Sequence, residues 1–282
     1  MTRIDAHHHL WRLARGDYGW LTAALAPIHR DFESADLAPL LAERDIGATI
    51  LVQAAPTEAE TRFLLEVAAA TTFVAGVVGW TELTAPDAPA RVAALARDPL
   101  LVGLRPMVQD IADDDWLLRR DLAPGLSAMA RHGLVLDALV LPRHLARLRV
   151  VAERHPDLAI VVDHLAKPRV REGRLEPWRS DLAALAALPN LWCKLSGLAT
   201  EAAPDWRAAD LAPYAAAALD AFGPRRVLWG SDWPVVELAG GYGRWWAATG
   251  ALLADLVEAD RAAVLGATAK RVYLSQGRGR RC

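Results

Sequence analysis

Short apolar runs recur along the chain, separated by stretches with a different period. They occupy residues 4–9 (IDAHHH), 48–53 (ATILVQ), 73–80 (FVAGVVGW), 101–106 (LVGLRP), 134–140 (LVLDALV), 159–164 (AIVVDH), 191–197 (LWCKLSG) and 226–232 (RVLWGSD). Most are continuously apolar rather than alternating, the pattern of strands covered on both faces of a parallel sheet. Between them, apolar positions return every three or four residues. Phe63, Leu64, Val67 and Ala68 share one side of a helix opening near Thr57, and Leu145, Leu148 and Val151 do the same after Pro142. Alanine-rich helices over 180–188 and 211–222 close on Pro189 and Gly223. Eight strands, each followed by a helix, is the arithmetic of an α/β protein built as a (β/α)8 barrel. No Gly-rich phosphate loop follows an early strand, which weighs against an open doubly wound sheet.

Three longer segments break the rhythm, at 11–36, 111–129 and 200–206. All follow strand C-terminal ends, the catalytic face of such a barrel, so they are candidate substrate walls. The first carries Tyr18 and Trp20. With 282 residues, 53% hydrophobic content and mean hydropathy +0.13, the chain suits one large domain over residues 1–275, followed by a basic tail at 276–282 read as a disordered end. Net charge is −2, from 32 basic and 34 acidic residues. That balance favours neither nucleic acid nor an anionic membrane and points to a small-molecule partner. Two cysteines, Cys193 and Cys282, make no disulfide framework. With the first strand starting almost at Met1 and no apolar run of membrane-spanning length, a cytoplasmic protein is expected. Oligomeric state is left open, a homo-oligomer included.

A barrel converges its strand ends, so every reactive group there is a candidate. The first strand offers His7, His8 and His9; the second, Gln53; the fourth, Arg105. The sixth offers His164 and, shortly after, Lys167; the seventh, Lys194 and Ser196; the eighth, Asp232. His7 and His9 are two apart and face the same way on a strand, a common metal-ligand spacing, whereas His8 faces the helices. An isolated Gly-Ser-Asp would more often cap a helix, and Asp163-His164 alone reads equally well as a cap and turn. Together with His7 and His9, however, Asp232 and His164 make a hydrolytic centre the economical reading.

The motifs IDAHHHLW, ILVQAAPTEAETRFLLEVA, GVVGW, LVGLRPMVQD, VVDHLAKP, CKLSGLATEA and FGPRRVLWGSDWPV resemble the amidohydrolase superfamily, in its branch of sugar-lactone and pyrone-lactone hydrolases. DYGWL and KLSGLATEA are most similar to aldonolactonases of the fucose and rhamnose type. The resemblance runs from Ile4 to about Tyr273. It implies a distorted (β/α)8 TIM barrel that opens a cyclic ester to the acid, with Asp232 as general base and with His7, His9 and His164 holding the water, an ion or the lactone carbonyl. Two departures matter: Arg105 stands where a metal-bridging lysine often ends strand four, and DALVL (137–141) offers no histidine at strand five. A two-metal site is therefore not expected. One divalent ion, zinc foremost, held by His7, His9 and Asp232, remains open, as does no metal at all; no organic cofactor is implied.

For a polyhydroxylated lactone the expected lining is Gln53, Arg105, Gln109, Lys167, Trp11, Trp206 and Trp233. A dicarboxylate pyrone or muconolactone would call for several arginines instead. A metal-dependent decarboxylase of small aromatic acids and a non-catalytic binding barrel are the remaining alternatives.

Overall fold

The computed structural model describes residues 2–275, so the expected basic tail lies outside the described residues. All eight expected strands form: β1 Arg3–His8, β2 Ile46–Val52, β3 Val74–Gly79, β4 Leu101–Leu104, β5 Val135–Ala138, β6 Ile160–Val162, β7 Leu191–Leu195 and β8 Val227–Trp229. They pair in chain order and in parallel, as one eight-stranded sheet. A crossover helix follows each: α1 Ser34–Ala42, α2 Glu58–Ala70, α3 Ala88–Leu95, α4 Ala123–Arg131, α5 Leu145–Arg154, α6 Trp178–Ala186, α7 Ala208–Phe222 and α8 Gly241–Leu252. As the sequence suggests, Thr57 caps α2, its hydroxyl accepting from the Glu60 amide at 3.0 Å. This is the (β/α)8 TIM barrel.

Closure is made by few bonds. The Asp232 amide donates to the His7 carbonyl at 2.8 Å, and the His9 amide to the Trp233 carbonyl at 2.7 Å. Beneath them the buried Asp5 carboxylate accepts from the Ser231 amide (2.8 Å), the His7 amide (3.2 Å) and the Tyr242 hydroxyl (3.0 Å). Burial pushes the Asp5 carboxyl up to about 6 despite those donors. Register shifts between β1 and β2, β2 and β3, and β3 and β4 give the barrel its distortion.

Apolar packing falls into two clusters. Ala48, Ile50 and Val52, on one face of β2, join Val102, Val135, Val161 and Leu228 inside the barrel, whereas Leu51 faces out to α2 residues such as Leu64. After α9 Glu258–Ala262, two π-helical turns, Ala263–Ala267 and Lys270–Leu274, run under the N-terminal ends of the strands. There Gly266 meets the Thr2 carbonyl so closely that no Cβ fits, and Tyr273 enters the inner cluster.

Several expected strands run past the ladder. β6 stops at Val162 because His164, Leu165, Ala166 and Lys167 all take left-handed backbone, with φ of 53°, 53°, 60° and 50°. β8 likewise ends before Asp232, at φ 58°. The wall expected at 111–129 is partly helical, since α4 starts at Ala123.

Candidate active site

Left-handed backbone costs non-glycine residues about 1–2 kcal/mol each, so five of them at the ends of β6 and β8 require a counterweight. The turn after β6 swings His164 back over the barrel mouth, where its Nδ1 lies 2.8 Å from the Ser196 hydroxyl. Gly197, at φ +65°, makes room: a Cβ there would lie 2.6 Å from the His164 ring. Gly230 does the same for β1, since its Cβ would fall 2.6 Å from that of His7.

Four side chains meet above the barrel. His7 Nε2 is 3.3 Å from His9 Nε2, which is 3.3 Å from Asp232 Oδ1; Asp232 Oδ1 lies 3.7 Å from His7 Nε2 and 3.9 Å from His164 Nε2. Burial alone would raise the Asp232 carboxyl, but the imidazoles, His164 foremost, hold it well below the usual carboxylate range. Burial pushes His164 down to about 4 against the pull of Asp232, and it drives His7 well below its ordinary value with the help of Lys194. Near neutral pH the site therefore holds an ionised carboxylate beside neutral His7 and His164.

A second charged layer lies one step deeper. The Lys194 ammonium, 0% exposed, sits 2.7 Å from Asp137 Oδ2, 2.8 Å from Asp163 Oδ1 and 3.1 Å from His7 Nδ1. Tyr273 donates to Asp137 Oδ1 at 2.7 Å, which links the C-terminal plug to this layer. Arg105 reaches in from β4: Nη1 is 3.3 Å from Asp163 Oδ2, and Nη2 donates to the Gln53 carbonyl and, at 3.0 Å, to its side-chain oxygen. Burial opposes the ionised form of Asp163, but Lys194 above all holds its carboxyl well down, whereas Asp137 stays up at about 6. Lys194 is held protonated by the two acids against its burial. Its contact with His7 Nδ1, and that of Arg105 Nη1 with His7 Nε2 at 3.3 Å, put a cationic donor at each ring nitrogen.

His9 Nδ1 lies 2.8 Å from the Val52 carbonyl, an acceptor, so Nδ1 donates there and Nε2 is the ring nitrogen turned toward Asp232. Two electron-rich atoms 3.3 Å apart call for a proton or a cation between them. Tetrahedral coordination at about 2.0–2.1 Å places neighbouring ligand atoms about 3.3–3.4 Å apart. The His7, His9 and Asp232 donor set thus fits one small divalent ion. Coordination through His7 Nε2 leaves any ring proton on Nδ1, where Asp163 Oδ1 stands 3.6 Å away. The Arg105 guanidinium nearby disfavours a second cation.

A cavity of about 180 Å³ opens over this centre, lined by His9, Arg105, Gln109, His164, Lys167 and Asp232. Of the expected lining residues, Arg105, Gln109 and Lys167 are there. Gln53 is buried beneath as the partner of Arg105, its amide donating to the Arg105 carbonyl at 3.1 Å. Trp11, Trp206 and Trp233 lie outside the lining: Trp11 donates to the Arg30 carbonyl and Trp206 to the Ala239 carbonyl, while Trp233 packs edge-on against Phe32. Trp20 lines the cavity instead. Sequence reasoning named Lys194 and Ser196 as strand-end candidates without assigning them a role, read Asp163 as a cap, and gave no role to Asp137 or to Glu201, the last 3.9 Å from Lys167. Charged residues within otherwise apolar runs were the available signal.

A parallel barrel here turns three imidazoles and one carboxylate onto a single point above its strand ends. The chain belongs to the amidohydrolase family, whose model matches residues 4–274. It is 52% identical to an L-fucono-1,5-lactonase of Burkholderia ambifaria, over 86% of this chain and 83% of the relative. It is 41% identical to an L-fucono-1,5-lactonase of Burkholderia multivorans, over 96% and 95%. A solved amidohydrolase from Burkholderia multivorans, 40% identical, superposes with a TM-score of 0.91 over 97% of this chain and 99% of that one. It has been crystallised with bound zinc and, in another crystal form, with bound HEPES.

Proposed function

We propose that this protein is a sugar lactonase that opens L-fucono-1,5-lactone, or a close stereochemical relative, to the aldonic acid. The observation that carries the reading is the meeting of His7, His9, His164 and Asp232 in a chain 52% identical to an L-fucono-1,5-lactonase over most of its length. Asp232, ionised near neutral pH, takes a proton from water as the water oxygen adds to the lactone carbonyl. The tetrahedral adduct collapses by breaking the bond to the ring oxygen, and Asp232 returns the proton to that oxygen. His9 and His164, whose Nε2 atoms face Asp232, orient the water, and Lys167, at the cavity wall, donates to the oxygen on which charge gathers. Where one divalent ion is bound, zinc foremost, His7, His9 and Asp232 hold it, and it supplies Lewis acidity and a water pKa near about 7.

The lining favours a neutral polyol. Arg105 is tied to Gln53 and Asp163, so Lys167 is the cation left to meet an anion, whereas a dicarboxylate needs several. Among the described residues no helix is long and apolar enough to cross a membrane.

Proton release in weakly buffered indicator tests this reading. L-fucono-1,5-lactone, L-rhamnono-1,5-lactone and 2-pyrone-4,6-dicarboxylate would be assayed with chelated and zinc-supplemented protein, with zinc binding followed separately by calorimetry. Acid release well above the spontaneous rate is expected from L-fucono-1,5-lactone; release no faster than without protein overturns the proposal.

A further inference from the structure

A larger cavity, about 730 Å³, adjoins the catalytic one, and Trp20, Met107 and Asp110 line both. Small-molecule sites usually span about 300–1,000 Å³. The catalytic cavity falls below that range, room for little more than one ring, and the annex lies within it. Its walls come from four strand ends: Trp20 after β1, Pro56 after β2, Trp80 after β3 and Trp116 after β4. Trp20 is fixed by donating to the Ala54 carbonyl at 2.7 Å and by edge-on packing, 5.5 Å between centroids, against Trp11. Asp17, Glu82 and Asp110 add carboxylates, Glu82 being held by the Thr84 hydroxyl at 2.6 Å. No lysine, arginine or histidine is in the lining.

Those walls select a chemistry. Glu82 and Asp110 repel phosphates and organic acids and accept hydrogen bonds from hydroxyls, whereas Asp17 is already paired with Arg15 at 2.7 Å. Indole faces pack against the C–H face of a pyranose ring. Continuity with the catalytic cavity means that the occupant is attached to the lactone.

We propose that the annex binds the second ring of a glycosylated sugar lactone, so that the enzyme also opens lactones of disaccharide aldonic acids. This rests on the sugar-lactonase reading, and the experiment separates the two. L-Fucono-1,5-lactone and its β-galactosyl derivatives at O2, O3 and O4 would be assayed with the wild type, Trp116→Ala and Glu82→Gln. At least one derivative is expected to exceed the plain lactone tenfold in kcat/KM. Each variant should lose most of that advantage while staying within twofold of wild type on the plain lactone. Derivatives all poorer than the plain lactone, or an advantage surviving both variants, overturns the proposal and leaves the lactonase intact. If no lactone turns over, the lactonase reading fails. The annex is then judged by tryptophan-fluorescence titration with the galactosyl-fuconates against fuconate: tenfold tighter binding, lost in Trp116→Ala, supports it, and equal affinity overturns it.

Discussion

Replacing Lys194 by methionine keeps most of the side chain's volume and removes its charge. The ammonium lies 2.7 and 2.8 Å from two carboxylates inside the barrel, and Tyr273 and Arg105 are their other partners. Breaking a buried ion pair by removing one member costs about 3–5 kcal/mol, because the charge left behind stays desolvated. In a domain of this size one kcal/mol moves Tm by about 2 °C, so Lys194→Met should melt about 6–10 °C below wild type at pH 8. The loss should shrink as pH falls. Burial holds Asp137 up at about 6 even beside the ammonium, and without it the folded-state value rises further. The folded variant then binds a proton that the unfolded chain, with an ordinary carboxyl, does not, and stability linked to that proton returns as pH falls toward 5. Calorimetric melting at pH 5 and pH 8 measures this, with Lys194→Met/Asp137→Asn as the control that should recover about half the deficit. A variant within 2 °C of wild type at both pH values would refute the claim that this layer is a charged cluster balanced on Lys194.

Asp232→Asn should lower kcat by about 10²- to 10⁴-fold, the worth of a general base, with Tm little changed; a drop of less than tenfold removes Asp232 from proton transfer. Burial lowers His164 to about 4, so its protonation should cut kcat/KM in a limb near pH 4, read from the pH–rate profile; activity unchanged down to about pH 3 would take His164 out of the reaction. Gly197→Ala forces φ +65° on a side chain whose Cβ lies 2.6 Å from the His164 ring, so kcat/KM should fall at least tenfold, as read by steady-state assay, with about 1–2 kcal/mol lost in denaturant titration. Lys167→Met should lower kcat, because the ammonium meets the oxygen on which charge gathers; a rise in KM with kcat unchanged would make it a group that only grips substrate.

The strands were legible because a parallel sheet buried on both faces writes an unbroken apolar run, and His7, His9, His164 and Asp232 because a barrel converges its strand ends. The deeper layer was not. Asp137 and Lys194 sit within strands and are 57 residues apart, so what each meets depends on how the barrel twists and closes. In sequence, Asp137 registers only as the residue of a strand that lacks a histidine. The tryptophans were misplaced for a related reason: an indole at a strand end reads the same whether it faces substrate or core, and distant carbonyls decide it, those of Arg30 for Trp11 and Ala239 for Trp206. Trp20 lines the site because its own partner, the Ala54 carbonyl, lies at the rim. The layer also bears on the chemistry above it. Lys194 contacts His7 Nδ1 from below and Arg105 contacts its Nε2, so the ring is held by a salt-bridged cluster that solvent does not reach, with Nε2 3.7 Å from Asp232. The two desolvated carboxylates around Lys194 are the energetic cost of that fixed imidazole.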